Sequence, residues 1–201
     1  VIYLASQSPR RKTLLAEARL KFMTVPSLHD EVIHANLSPE DNALWNALLK
    51  CSRAKLPASA QPAGRGKKTG IILAADTLID FKGKVIIKPR DRADAARILK
   101  GFSGRTHTVI TAAALKVLAT GRFRTFTVKS RVTFKKLSPV QISAYLDTGE
   151  YKDKAGAYGY QEHGRSLVSR VRGSETNVIG LPMEKLLAAL RQISKKGQLS
   201  R

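Results

Sequence analysis

The chain has 201 residues, enough for one globular unit with a substantial core. Its 43% hydrophobic and 25% charged residues are ordinary for a folded soluble protein, and no run approaches the ~20 apolar residues of a membrane helix. Charge is the unusual feature: 36 Lys and Arg against 15 Asp and Glu give a net +21, which suits nucleotides, nucleic acid or an anionic surface, or else a solvated basic exterior. The one cysteine, Cys51, excludes an internal disulfide and fits a reducing compartment. Arg10 and Arg11 follow the apolar residues 1–6 where a secretory signal would place them before, so a cytoplasmic enzyme is expected.

Residues 1–5 are apolar and rich in β formers, which predicts a short buried strand. SQSPRR at 6–11 is a turn, with Ser8 an N-cap and Pro9 at the first helical position. Leu14, Leu15 and Ala18 then keep helical spacing. A second strand is predicted at 22–25, followed by an irregular stretch through His29, Asp30 and Glu31. Ser38-Pro39-Glu40-Asp41 repeats the helix-start pattern, and that helix runs through Ala43, Leu44, Ala47, Leu48 and Cys51. LPASAQPAGRGKKTG at 56–70 reads as a mobile loop. The apolar run 71–75 predicts a buried strand ending at Asp76, and 78–81 with 85–87 predict a hairpin around Lys82-Gly83.

Further on, a helix is predicted at 92–99 and an antiparallel pair at 106–118 and 123–134. A helix starts at Ser138-Pro139 and passes through Ile142 and Leu146. A strand at 166–171 and a helix opened by Leu181-Pro182, ending near Ile193, complete the pattern, with a fraying tail at 194–201. Helices interleave with strands, yet hairpins occur. The expected fold is one α/β unit over 1–201, a mixed sheet with flanking helices and not a doubly wound parallel sheet.

Four short segments carry chemistry. Ser6-Gln7-Ser8-Pro9-Arg10-Arg11 joins a strand end to a helix N-terminus, where free N–H groups and the helix dipole attract phosphate; two guanidinium groups add matched donors. The plainer reading is a capped helix with surface arginines. Asp76-Thr77 puts a carboxylate beside a buried strand, placed to hold a metal or orient a water, or to cap a turn. Lys88 offers a point charge for phosphate, as many solvated lysines could. In KAGAYGYQ at 154–161 small residues permit close backbone approach, and Gln161 can read a base edge or hold a water. No P-loop is present. His29, His34, His107 and His163 have no zinc-ligand spacing, and neither Ser6 nor Ser8 lies in a nucleophile elbow. Together these groups suit phosphate chemistry with a divalent ion.

LASQSPRR at 4–11, AADT at 74–77, KPRD at 88–91, FSGRTHTVITAAAL at 102–115, DKAGAYGYQ at 153–161 and NVIGLP at 177–182 resemble, in order, the successive motifs of the Maf family. The resemblance implies an elongated mixed α/β fold with two lobes around a central substrate cleft, often dimeric. It also implies hydrolysis of nucleoside triphosphates to monophosphate and pyrophosphate with a divalent cation, magnesium or manganese. One branch of the family prefers dTTP and UTP and another 7-methyl-GTP; Asp76-Thr77 and KAGAYGYQ are similar to the first. By the same resemblance Asp76 is the catalytic base and a metal partner. Ser6, Arg11 and Lys88 hold phosphates, and Arg10, Thr77 and Gln161 tune substrate choice. Lys50 matches a lysine near the phosphates, and Glu31 an acidic residue that helps hold metal. Two residues depart from the pattern beside Gln161: Tyr160 stands for a usual isoleucine and Glu162 for a usual glycine. Two rival readings are a regulatory or nucleic-acid-binding protein acting in cell-division arrest, and an enzyme that removes modified pyrimidine nucleotides. The basic residues are dispersed and no recognition motif stands out, which speaks against nucleic acid.

Overall fold

Apolar, β-branched and Ala-rich stretches form the strands, and Pro- or Asp-started amphipathic stretches form the helices. The computed structural model describes residues 1–60 and 70–195; most of the loop expected at 56–70 and all but the first two residues of the tail expected at 194–201 lie outside them. The elements are β1 (Ile2–Leu4), α1 (Pro9–Glu17), β2 (Phe22–Thr24), α2 (Pro39–Ser52), β3 (Ile71–Phe81), β4 (Lys84–Ile86), α3 (Arg92–Phe102), β5 (Thr106–Val117), β6 (Phe123–Phe134), α4 (Pro139–Asp147), β7 (Val168–Arg172), α5 (Glu175–Ile179) and α6 (Met183–Lys195). No helix among them is long and apolar enough to cross a membrane.

The strands make one mixed sheet in the order β2-β1-β3-β5-β6-β7, with β4 also on β3. β1 is parallel to β2 and β3, and the remaining pairs are antiparallel. Side chains of β3 and β5 alternate between two faces. On one face α2 sets Ala43, Ala47 and Cys51 against Ile72, Ala74, Leu78, Ile110, Ala112 and Ala114. The alanines on both sides let helix and sheet approach closely. The other face carries two separate cores. At one end α1 and α6 pack Leu14, Leu15, Leu186 and Ile193 on Ile71, Leu73 and Leu115. At the other, α3 and α4 pack Leu99, Phe102, Ile142 and Leu146 around Ile79, Val109, Val132 and Phe134.

Asp76 does not end its strand. β3 runs on for eleven residues, and Asp76 lies in its middle, opposite Ala112 of β5. The long register with β5 carries the strand through the polar pair. What ends near Asp76 is the neighbour on the other edge. β1 pairs only with Ile71–Leu73, and β4 only with Ile79–Phe81. Residues 74–78 of β3 therefore have an open edge between two short strands, and the chain leaving β1 passes beside it into α1.

Other boundaries moved for local reasons. The expected strand at 166–171 begins at Val168, because residues 163–167 form a 3-10 turn. The five-residue α5 was not foreseen; it is too short to show a helical period, though Ser174 caps it by accepting from the Asn177 N–H. In α2 the buried face is Asn42, Ala43, Asn46, Ala47, Lys50 and Cys51, while Leu44 and Leu48 are only half-buried. The helix turns its small and polar side to the sheet.

Candidate active site

A cleft of about 760 Å³ opens at the gap in the β3 edge. Ser6, Arg10, Arg11, Glu31, Lys50, Asp76, Thr77, Lys88 and Gln161 all line it. They come from distant parts of the chain: the turn into α1, the segment before α2, α2 itself, mid-β3, the segment after β4, and the segment before β7.

Asp76 and Thr77 are neighbours on a strand, so their side chains leave on opposite faces. Asp76 points to α2 and is 2% exposed. Its Oδ1 accepts from Lys50 Nζ at 2.7 Å and its Oδ2 from Asn46 Nδ2 at 3.3 Å. The same Lys50 ammonium donates to Glu31 Oε1 at 2.5 Å and faces the Ala75 carbonyl on the open strand edge at 3.5 Å. One cation thus bridges two carboxylates. Their environments push them apart. Burial raises the Asp76 carboxyl, and the nearby Glu31 charge raises it further, against the pull of Lys50. For Glu31 burial also opposes ionisation, but Lys50 and Lys88 overcome it and hold the group at about 2. Of the two carboxylates Asp76 is thus the one raised towards the proton, the direction that suits a general base.

Thr77 points the other way, to α1 and α5. Arg11, buried, donates through Nε to the Gly180 carbonyl at 2.8 Å, through Nη1 to Ser6 Oγ at 3.1 Å and through Nη2 to Thr77 Oγ1 at 3.1 Å. Thr111 Oγ1 donates to the Asn177 carbonyl at 2.9 Å and lies 3.0 Å from Thr77 Oγ1. With its one proton so committed, Thr111 accepts from Thr77. The chain Arg11 to Thr77 to Thr111 to Asn177 is therefore directional. Arg11 and Thr77 serve the scaffold of this wall as well as facing the cleft. Ser8 stands at the N-cap of α1 but makes no cap bond with its side chain. Its N–H donates to Ser6 Oγ at 3.3 Å instead, which leaves the first-turn N–H groups without a side-chain cap.

The opposite wall is the segment between α4 and β7. Gly156 adopts φ 70, and a side-chain carbon there would meet Ile79 Cδ1 at 2.4 Å. Gly164 passes so near Gly159 that an added carbon would lie 2.0 Å from its carbonyl oxygen. The Gly164 N–H donates to buried Glu150 at 3.1 Å, and Lys154 donates to the Glu150 carbonyl. Glu150 also faces Arg10, whose guanidinium is lowered by burial and raised by the Glu150 and Glu162 charges. Tyr160 is buried, donates to Glu175 at 3.0 Å and stacks under the Arg165 guanidinium. The unusual tyrosine thus ties this wall to α5. Gln161 and Lys88 stand exposed on the rim.

Sequence reading assigned no role to Asn46 or Glu150, and weighed His29 only as a zinc ligand; the fold brings all three to or beside the cleft. The signal for Asn46 was present: Asn42, Asn46 and Lys50 recur every four residues on one face of α2, and polar groups on a buried face must find partners.

Glu31 and Asp76 offer a cation two carboxylates. Among the described residues no three His, Cys, Asp or Glu side chains gather as a metal cage. Magnesium is commonly held by one or two carboxylates with phosphate oxygens and waters completing its shell, and the donors present fit that arrangement.

Comparison with known proteins agrees with this geometry. A family profile described as Maf-like protein matches residues 1–193. Proteins named dTTP/UTP pyrophosphatase are similar over most of their length. The one from Bdellovibrio bacteriovorus is 43% identical, covering 91% of this chain and 93% of its own. That from Moorella thermoacetica is 42% identical over 93% of each chain, and that from Akkermansia muciniphila 35% over 94% of each. With its sheet, its cleft and nearly its whole length accounted for, the chain belongs to the Maf family.

Proposed function

We propose that this protein hydrolyses dTTP and UTP to the nucleoside monophosphate and pyrophosphate. The observation that carries the reading is the cluster of Asp76, Lys50 and Glu31 in a cleft that Arg10, Arg11 and Lys88 also line. The substrate class rests on the names of its relatives.

In this mechanism the triphosphate lies along the cleft, with Arg10, Arg11, Lys88 and the α1 N-terminus opposing its charge. Asp76 takes a proton from a water whose oxygen attacks the α phosphorus. The bond from that phosphorus to the bridging oxygen of the β phosphate breaks, and pyrophosphate leaves. Glu31 stays ionised beside Lys50. A divalent cation held by Glu31, Asp76 and the phosphates would neutralise the charge that builds on the leaving group. Gln161, on the rim, reads the base. Positioning and electrostatics supply most of the rate.

The test is pyrophosphate release from a panel of natural and modified triphosphates. The pyrimidine nucleotides should turn over fastest, and Asp76→Asn should lose at least about a thousandfold in kcat with its far-UV spectrum unchanged. Equal rates on purines and pyrimidines would reject the substrate assignment; a fully active Asp76→Asn variant would reject the mechanism.

A further inference from the structure

Glu31 sits on a strap, residues 28–37, that has little packing of its own. Leu28, Val32 and Ile33 are 61%, 45% and 39% exposed. What holds the strap is polar, and it comes from α2. Asn46 is fully buried. Its Nδ2 donates to the Val32 carbonyl at 3.0 Å, and its Oδ1 accepts from the Val32 N–H at 3.1 Å. The same Oδ1 lies 3.0 Å from His29 Nε2; since an amide oxygen only accepts, His29 carries its proton on that nitrogen. Glu31 is thus bracketed, with His29 before it and Val32 after it both tied to one side chain. That side chain also donates to Asp76.

We infer that Asn46 is a positioning residue for the reaction: it sets Glu31 opposite Asp76, so that the separation of the two carboxylates across Lys50 is fixed by an amide on α2. Resting on the pyrophosphatase reading above, the inference gives a task to a residue that does not line the cleft. Asn42, one turn earlier, is equally buried and equally occupied. It donates to the carbonyls of His34, Leu37 and Ser38 at 3.0–3.1 Å and accepts from the His34 N–H at 2.7 Å. It reaches only the far end of the strap and touches neither carboxylate. The two asparagines therefore separate positioning from mere strap integrity.

The experiment compares Asn46→Leu and Asn42→Leu with wild type and Asp76→Asn. Asn46→Leu should lower kcat about 100-fold, as a misplacement near 1 Å can, with KM for dTTP held within about threefold. Asn42→Leu should keep kcat within about threefold. Amide exchange supplies a readout independent of turnover: Asn46→Leu should speed exchange at residues 30–33 at least about tenfold, and Asn42→Leu only at 34–37. Trp45, the chain's sole tryptophan, lies edge-on to His34 with ring centroids 6.0 Å apart and gives a fluorescence check on that far end. If wild type releases no pyrophosphate, the functional reading fails. If wild type is active and Asp76→Asn is not, but Asn46→Leu stays within about threefold of wild-type kcat, the positioning role alone fails. Equal losses in the two asparagine variants also overturn it. Should Asn46→Leu not fold, Asn46→Ser, too short to reach both Val32 and Asp76, is read by the same criteria.

Discussion

His107 is buried among aromatic rings, stacked on Phe102 with centroids 4.2 Å apart and edge-on to Phe134 and Tyr158. Its Nε2 lies 2.8 Å from the Tyr158 hydroxyl, and its Nδ1 has no partner. Whichever of the two donates, one polar hydrogen of the pair is left unsatisfied. A second proton would create an unpaired charge, and burial accordingly pushes the imidazole down to about 3. In the unfolded chain the same group titrates near its ordinary value of about 6.5. Between those values the unfolded chain binds the extra proton and the folded one does not. Stability conferred by neutral His107 is therefore complete above about pH 6.5 and falls by up to about 1.4 kcal/mol per unit as pH drops towards 3. Urea unfolding of wild type and His107→Phe at pH 7 and pH 4.5 measures it: the substitution should flatten the acid loss, whatever it costs at neutral pH.

Among the elements, the wall at 155–164 depends on glycine at a place where backbone meets backbone. Gly164→Ala should destabilise the protein by about 3 kcal/mol or more, since the atom it strikes belongs to the Gly159 peptide and cannot rotate away; thermal melting reads the loss. The elements that were legible in sequence are those with a start signal or a long period. Ser38-Pro39 and Ser138-Pro139 marked α2 and α4, and their caps are formed. The long β5–β6 pair was plain from its β-rich runs. Less legible was β3, whose polar residues at 76–77 interrupt the apolar run without breaking the register that β5 imposes. The cleft's residues were found from motif order, but their division between two faces was not, because it follows from the parity of positions along β3. Asn46 and Glu150 were hidden for another reason: the partners Val32, Asp76 and Gly164 lie 14 or more residues away, brought near only by the fold.

At the scale of the molecule, the net +21 is not gathered in the cleft, whose lining sets six Lys and Arg against five Asp and Glu. On the sheet Arg131 even faces Arg172 across a strand pair, an arrangement that like charges disfavour. Such a field should draw a triphosphate in from solution. Raising salt from about 0.05 to 0.5 M should then lower kcat/KM for dTTP at least about threefold while leaving kcat nearly constant, because screening acts on encounter; steady-state kinetics in KCl tests it. The two cores on one face share β3, β5 and β6 without interruption, and the cleft is cut between them. The walls are thus mounted on a single continuous beam. Bringing them together would mean flexing three hydrogen-bonded strands at once, so nucleotide binding is expected to slow amide exchange in the strap at 28–37 while leaving the pairing of β3, β5 and β6 unchanged.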